Sequence, residues 1–279
     1  MDIVVENKDA RLFTTFYENQ GKETIILLHG GPGLPDGLTF LLDYFRKYFQ
    51  VIYFHQRGTL KSPVSSSDFS LEAYVADIHC LADYFKVSKF HLFGHSWGGL
   101  YAQLYAFKHP EKLLSLFLSS SAAGTGKHYK DSMLEIAHYN KAKSSLLEWI
   151  KMNLHSALGI LGLDYGYRKF YRQALINFSR GFLESHPERF GLRFIKAKSI
   201  NNTIKSILFA PVLPPFTHSN IRITISFGDQ DIIGQSKRYV IERFPTAINY
   251  TIQNSGHIPW SHNKKAFLKI LEDHYGIRS

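Results

Sequence analysis

A serine flanked by glycines gives the strongest chemical signal in the sequence. Ser96 stands in the run Gly94–Gly99, which fits the pattern Gly-x-Ser-x-Gly. The run follows the apolar segment 89–93, which is typical of a strand, and precedes the helix-like segment Leu100 to His109. A nucleophile on a sharp strand-to-helix turn requires this order, because the backbone packs so closely there that only glycine fits beside it. The alternative is an ordinary tight turn.

A serine hydroxyl is a weak nucleophile and needs a histidine base that an acid orients. In hydrolases with such a turn, the acid and then the histidine follow the serine along the chain. Asp231 and His257 each come shortly after an apolar run that resembles a strand. We therefore predict that Ser96, Asp231 and His257 form a catalytic triad. Asp229 is the reserve candidate for the acid, and His95 is expected to pack in the core or form a hydrogen bond.

Acyl transfer also needs hydrogen-bond donors for the oxyanion that develops on the substrate. One donor is the amide after the nucleophile, and the other comes from a loop after an earlier strand. The apolar run 25–28, followed by His29–Gly33, supplies such a loop. We assign the amides of Trp97 and Gly31 to the oxyanion hole, and Gly30 to substrate contact. This chemistry needs no metal ion or organic cofactor, and none is predicted.

These residues must be held together by a sheet whose strand ends meet. Short β-branched runs alternate with amphipathic stretches, which is typical of a mostly parallel sheet covered by helices. The fold class is therefore α/β, with eight strands predicted over residues 2–6, 11–17, 24–28, 51–54, 89–93, 113–119, 221–227 and 248–253. Ser70 is positioned to cap a helix that begins at Leu71. Two later helices are predicted over residues 234–244 and 261–275.

The alternation of strand-like runs and amphipathic stretches stops in the middle of the chain. Residues 122–218 indicate several helices rich in aromatic and basic residues. We therefore predict one core domain, formed by residues 1–121 and 219–279, with residues 122–218 inserted as a helical cap. Aromatic side chains of the cap either line an apolar pocket over Ser96 or pack helix against helix. They are Tyr165, Tyr167, Phe170, Tyr171, Phe178 and Phe182.

The formal net charge of +10 is concentrated in the predicted cap. Residues 122–218 hold 14 Lys and Arg against six Asp and Glu, whereas residues 1–121 are nearly balanced. Such a surface either is simply solvated or attracts an anionic substrate, an acyl carrier or a membrane surface. No nucleic-acid recognition motif accompanies the charge, so the expected partner is a small-molecule substrate and not a nucleic acid.

The sequence also carries expectations about location. No apolar run approaches the roughly 20 residues that a membrane-spanning helix needs. The N-terminus has no basic stretch leading into an apolar run, as a secretory signal would. We therefore expect a cytoplasmic protein without a transmembrane segment, and the sequence leaves its oligomeric state open.

With these features in order, the sequence resembles the alpha/beta-hydrolase superfamily. The runs His29–Gly33 and Gly94–Gly99 are similar to motifs of its prolyl iminopeptidase-like branch, and the resemblance implies the alpha/beta-hydrolase fold. A third motif of that branch, Asp-Gln-Arg-Gly-x-Gly-x-Ser, is matched only in part by residues 55–62. His55 and Leu60 replace its aspartate and second glycine. Arg57 in this run either ties loops together near the site or forms a structural ion pair.

Three functions follow from this reading. The leading one is hydrolysis of an ester or amide of a small, apolar or anionic substrate through an acyl-enzyme on Ser96. The second is an iminopeptidase-type aminopeptidase, for which the resemblance implies cap glutamates that bind the substrate's amino terminus. The nearest match to their Trp-Glu motif is Glu148-Trp149, in reversed order and in a basic segment. The third is a non-catalytic ligand-binding protein that kept the fold.

Overall fold

The computed structural model describes residues 1–34, 37–182, 191–218 and 220–277. Within them, eight strands form one sheet in the order β1-β2-β4-β3-β5-β6-β7-β8. The strands are β1 Asp2–Asn7, β2 Ala10–Tyr17, β3 Thr24–Leu28, β4 Gln50–Phe54, β5 Phe90–His95, β6 Leu113–Ser119, β7 Arg222–Gly228 and β8 Ile248–Ile252. Pairing is antiparallel for β1 with β2 and for β2 with β4. All the other neighbours in this order pair in parallel. The predicted α/β fold class is confirmed.

Helices connect these strands in the same described residues. They are α1 Thr39–Phe45, α2 Leu71–Tyr84, α3 Trp97–Lys108, α4 Lys127–Lys143, α5 Leu146–Ile160, α6 Asp164–Ser179, α7 Ala197–Phe209, α8 Lys237–Arg243, α9 Pro259–His262 and α10 Lys264–Tyr275. Ser70 caps α2 by accepting a hydrogen bond from the Ala73 amide at 3.2 Å. The single helix predicted over residues 261–275 is wrong, because Asn263 interrupts it and its side chain caps α10.

The central strands are buried on both faces, which explains their nearly continuous apolar sequences. All five residues of β3 and all six of β5 are buried. Successive side chains of a strand point to opposite faces. Ile26 therefore packs in the core layer that contains α3, whereas Ile25 packs in the layer with Phe45 of α1 and Phe267 of α10. Two apolar layers thus hold the sheet and fix where its strands end.

Helices α4, α5, α6 and α7 lie between β6 and β7 in the chain. They occupy the region predicted as a cap, of which residues 183–190 lie outside the described residues. Helix α5 begins with a capping box, in which Ser145 accepts from the Glu148 amide and Glu148 accepts from the Ser145 amide. In the part of the chain that the structure describes, no helix is long and apolar enough to cross a membrane.

Candidate active site

The turn between β5 and α3 holds Ser96 in an unusual backbone conformation. Strand β5 ends at His95, α3 begins at Trp97, and Ser96 between them has φ 56° and ψ −118°. A non-glycine residue with positive φ is uncommon, and such strain is concentrated at functional sites. Helix α3 starts directly after the serine, not at Leu100 as the sequence suggested, so the hydroxyl lies at the helix entrance.

The glycines around Ser96 are required by close backbone contacts. A Cβ on Gly94 would lie 2.2 Å from the carbonyl oxygen of Gly98, and a Cβ on Gly98 would lie 2.2 Å from the carbonyl oxygen of Leu28. Real Cβ atoms essentially never approach so closely. The turn therefore packs α3 directly onto the end of β3, where the loop with Gly30 and Gly31 begins.

Ser96, His257 and Asp231 form a continuous hydrogen-bonded chain. Nε2 of His257 lies 2.9 Å from Oγ of Ser96, and Nδ1 of His257 lies 2.8 Å from Oδ1 of Asp231. The side chains of His257 and Asp231 are 6% and 1% exposed, so water competes little with these bonds. The acid follows β7 and the histidine follows β8, and these parallel strands end at the same edge of the sheet as β5.

The two aspartates after β7 have different roles in the structure. Burial alone would raise the pKa of Asp231, but the neighbouring His257 and the amide of Ile233 outweigh it and lower that pKa. Asp231 is therefore held as a carboxylate that faces the imidazole. Asp229 instead accepts hydrogen bonds from the amides of Asn254 and Ser255. It holds together the loop that follows β8.

The loop after β3 lies beside the nucleophile. A Cβ on Gly30 would lie 3.3 Å from Cβ of Ser96, and one on Gly31 would lie 3.5 Å from Cδ1 of Trp97. The amides of Gly31 and Trp97 have no protein acceptor among the described residues. Two free donors beside a nucleophile are the arrangement that an oxyanion requires.

Gln56 was not identified as a site residue from the sequence. It links the loop after β3 to the start of α3. Its Nε2 donates to the carbonyl oxygen of His29 at 2.8 Å, and its Oε1 accepts from Nε1 of Trp97 at 2.8 Å. Gln56 is fully buried. The residue lies just after β4 in the partly matched motif, but that motif gives no sign of which side chains it would contact. Gln56 therefore fixes the distance between the loop that contains Gly31 and the helix that begins at Trp97.

Two further histidines position His257 without touching the serine. Nε2 of His95 donates to the carbonyl oxygen of His257 at 2.8 Å, and Nδ1 of His262 accepts from the amide of Gly256 at 3.0 Å. Burial lowers the pKa of His95 to about 3 and that of His262 to about 4. Both rings are therefore neutral at physiological pH and add no positive charge beside His257.

Arg57 forms a buried ion pair away from the nucleophile. Its Nε and Nη2 each lie 2.8 Å from a carboxylate oxygen of Asp77 on α2, and Nη1 donates to the carbonyl oxygen of Asp68. The arginine side chain is 1% exposed. Of the two roles considered from the sequence, these contacts favour the structural one.

A cavity of about 660 Å³ opens over Ser96. Its wall is mostly apolar and comes from α4, α5, α6 and α7 as well as from the loop after β3. Four of the aromatic residues considered for this role line it, namely Tyr167, Phe170, Tyr171 and Phe178. Tyr165 is instead 54% exposed, and Phe182 stacks on His262 with ring centroids 3.9 Å apart. The cavity has the size and lining of a site for a small organic molecule.

Charge is sparse in this cavity. Lys205 contributes to its wall, and no Asp or Glu among the described residues does. Glu148, the sequence candidate for binding an amino terminus, forms a salt bridge with Arg180 and does not line the cavity. In the described ranges, no cluster of three or more His, Cys, Asp or Glu is arranged to hold a metal ion.

A family model and several known proteins are similar to this chain in sequence. Residues 23–260 match the family model described as alpha/beta hydrolase fold. The chain is 27% identical over 256 residues to a proline iminopeptidase of Chitinophaga pinensis, covering 87% of this chain and 79% of that protein. It is 29% identical over 141 residues to a proline iminopeptidase of Lactobacillus helveticus, covering 47% and 48% of the two chains. This chain thus spans about half the length of the Lactobacillus helveticus protein.

The solved structures agree at the level of the fold. A hydrolase from Pseudomonas aeruginosa superimposes with a TM-score of 0.72 at 18% identity, covering 99% of this chain and 98% of that one. At this identity, the likeness concerns the fold and carries no information about substrate.

Proposed function

We propose that this chain, which belongs to the alpha/beta-hydrolase fold family, is a hydrolase that cleaves an ester or amide of a small, largely apolar substrate through an acyl-enzyme on Ser96. The observation that carries the proposal is the hydrogen-bonded chain from Asp231 through His257 to Ser96. Each of its two distances is below 3 Å, so His257 can accept the serine proton while Asp231 holds the ring in place, without rearrangement.

The geometry assigns a role to each side chain. Nε2 of His257 accepts the proton of Ser96 as Oγ attacks the substrate carbonyl, and Asp231 stabilises the imidazolium that results. The same Nε2–H then protonates the leaving group. In the second half of the reaction, His257 activates water to release the acid and restore Ser96. No step leaves a buried charge without a partner.

The developing oxyanion needs donors that are already in place. The unbonded amides of Trp97 and Gly31 are the proposed donors, and Gln56 keeps their two segments in register. Because the donors are backbone groups of a helix start and a packed loop, they need little rearrangement when charge develops. Gly30 beside Ser96 leaves room for the substrate.

Labelling with a fluorophosphonate tests this proposal directly, because the reagent phosphonylates only an activated serine. We expect one adduct on Ser96 by mass spectrometry, with hydrolysis of p-nitrophenyl butyrate. Ser96→Ala should abolish the adduct and lower kcat about 10⁶-fold. A protein that stays folded but forms no adduct would instead be the non-catalytic ligand-binding homologue.

The similarity to proline iminopeptidases makes a prolyl amide the second candidate substrate. Recognition of a free amino terminus requires a nearby opposite charge, and no described acidic side chain lines the cavity. We therefore expect short esters to be hydrolysed with a higher kcat/KM than proline 7-amido-4-methylcoumarin. Faster cleavage of the prolyl amide, lost in Ser96→Ala, would reverse the order of the two candidates.

A further inference from the structure

The outer face of α5 is apolar although it faces solvent. Leu147, Ile150 and Leu154 are 60%, 55% and 59% exposed, whereas Met152 on the opposite face is 1% exposed. Residues spaced by three and four share one face of a helix. A helix usually buries such a stripe, and an exposed one marks an interaction surface.

The opening of the cavity over Ser96 also exposes apolar side chains. Ile160 at the end of α5 is 65% exposed and Phe209 at the end of α7 is 82% exposed, and both also line the cavity. Apolar side chains therefore rim the opening as well as its interior. Among the described residues, Asn153 and Lys205 are the exposed polar side chains that line the cavity beside them.

The helical segment that carries this apolar surface has an excess of positive charge. The described part of residues 122–218 holds 13 Lys and Arg against four Asp and Glu. The four acids are engaged: Asp131 by Tyr239, Glu135 by Ser236, Glu148 by Arg180 and Asp164 by Lys196. The remaining 11 basic residues form no ion pair within the described residues.

One of these cations lies on the apolar face itself. Lys151 is exposed, follows Leu147 by four residues and precedes Leu154 by three. An exposed apolar helical face that also carries a cation fits a helix that lies in the interface of a negatively charged membrane.

We propose that the α5 surface, defined as Leu146, Leu147, Ile150, Lys151 and Leu154, docks on an anionic lipid bilayer. Docking would bring the exposed apolar residues Ile160 and Phe209 of the cavity opening close to the bilayer, so an apolar ester would enter from the membrane phase. This second statement depends on the proposed hydrolase function, whereas docking does not. A second copy of the chain fits the surface less well, because two molecules of net charge +10 repel each other.

Sedimentation with vesicles tests the docking. The full chain is mixed with phosphatidylcholine vesicles that contain or lack phosphatidylglycerol, at low and at high salt. We expect it to pellet with the anionic vesicles and to be released by salt, because salt screens the attraction between lysines and headgroups. The double variant Leu147→Ser/Leu154→Ser and the variant Lys151→Glu should each weaken vesicle binding about tenfold or more.

The controls separate docking from folding and from catalysis. Val4 and Tyr84 are also exposed, at 40% and 49%, but lie outside the α5 surface, so Val4→Ser/Tyr84→Ser should bind vesicles like the wild type. Leu147, Lys151 and Leu154 do not line the cavity. Their substitution should therefore leave hydrolysis of a short soluble ester unchanged.

Several outcomes would overturn the docking proposal. They are equal binding to neutral and anionic vesicles, no binding to either, or binding that the α5 substitutions do not change. A dimer in lipid-free buffer that Leu147→Ser/Leu154→Ser dissociates would assign the surface to a second copy instead. Vesicle binding by a wild-type chain that hydrolyses neither esters nor amides and forms no fluorophosphonate adduct would refute the proposed function and leave docking intact.

Discussion

Replacing Gln56 with methionine tests whether the bridge between the oxyanion loop and α3 matters for catalysis. Methionine has a similar volume but removes both the donor to His29 and the acceptor for Trp97. Deleting a whole oxyanion donor typically costs about 10²- to 10³-fold in kcat. Gln56→Met removes neither amide and only loosens their spacing, so we expect a smaller loss of about 10- to 100-fold, which corresponds to ~1.4–2.7 kcal/mol of transition-state stabilisation.

The loss should appear in kcat and not in KM, because the oxyanion exists only in the transition state. Affinity for a boronic acid, which mimics the tetrahedral intermediate, should fall in parallel with kcat. The substitution also leaves the buried indole N–H of Trp97 without its Gln56 acceptor, which costs about 1–3 kcal/mol of stability. Activity therefore has to be compared in variants of equal stability loss.

Gln103→Met is the matched control. Gln103 is also fully buried and bonds on both ends of its amide, to Ser121 and Ala122 as donor and to Arg243 as acceptor. It bonds neither His29 nor Trp97, so it should lose similar stability with a smaller loss of kcat. If the two variants lose kcat equally, or if Gln56→Met raises KM while kcat and boronate affinity persist, the positioning role is refuted.

Three further predictions concern the acid, the turn and a buried histidine. Asp231→Asn should lower kcat about 10⁴-fold in steady-state ester hydrolysis, whereas Asp229→Asn, which loses only loop contacts, should lower the urea midpoint with little change in kcat. Gly94→Ala should destabilise the fold by about 3 kcal/mol in urea unfolding, because its Cβ has no space beside the Gly98 carbonyl; a midpoint within error of the wild type would contradict the contact. Burial lowers the pKa of His274 from 6.5 to about 3, so below pH 6.5 the unfolded chain binds a proton there that the folded chain does not. The free energy of unfolding should consequently fall by about 2 kcal/mol from pH 7 to pH 5 through this residue, and His274→Gln should flatten that pH dependence.

The strands and the nucleophile turn were predictable because their signals are local. Apolar runs of four to seven residues predict the strands, and glycine spacing around Ser96 indicates a backbone constraint that acts within a few residues. Asp231 and His257 could be proposed because parallel strands end at one edge of the sheet. The geometry that joins them to Ser96 then follows from topology more than from any motif around the acid or the histidine.

Contacts between distant segments were not predictable. Gln56 meets Trp97 across 41 positions of the chain, and His95 meets the backbone of His257 across 162. Neither contact leaves a periodic pattern or a characteristic residue spacing in the sequence. The exposed stripe of α5 was hidden for a related reason: its spacing equals that of a buried helix, and only the packing reveals that the stripe faces outward.

Chemistry and substrate choice lie on different parts of the chain, and this makes them separable by experiment. Ser96, Asp231 and His257 follow strands of a sheet buried between two apolar layers, so that sheet mainly sets their spacing, while Phe178 of the wall packs on the ring of His257. That wall comes largely from α4–α7, which present aromatic and aliphatic groups. Contacts from such a wall bind substrate and transition state alike, and uniform binding changes KM more than kcat. Substitutions in the wall should therefore change which ester is preferred while the rate of fluorophosphonate labelling at Ser96 stays nearly constant, and a labelling rate that followed substrate preference would mean that these helices help to hold the triad.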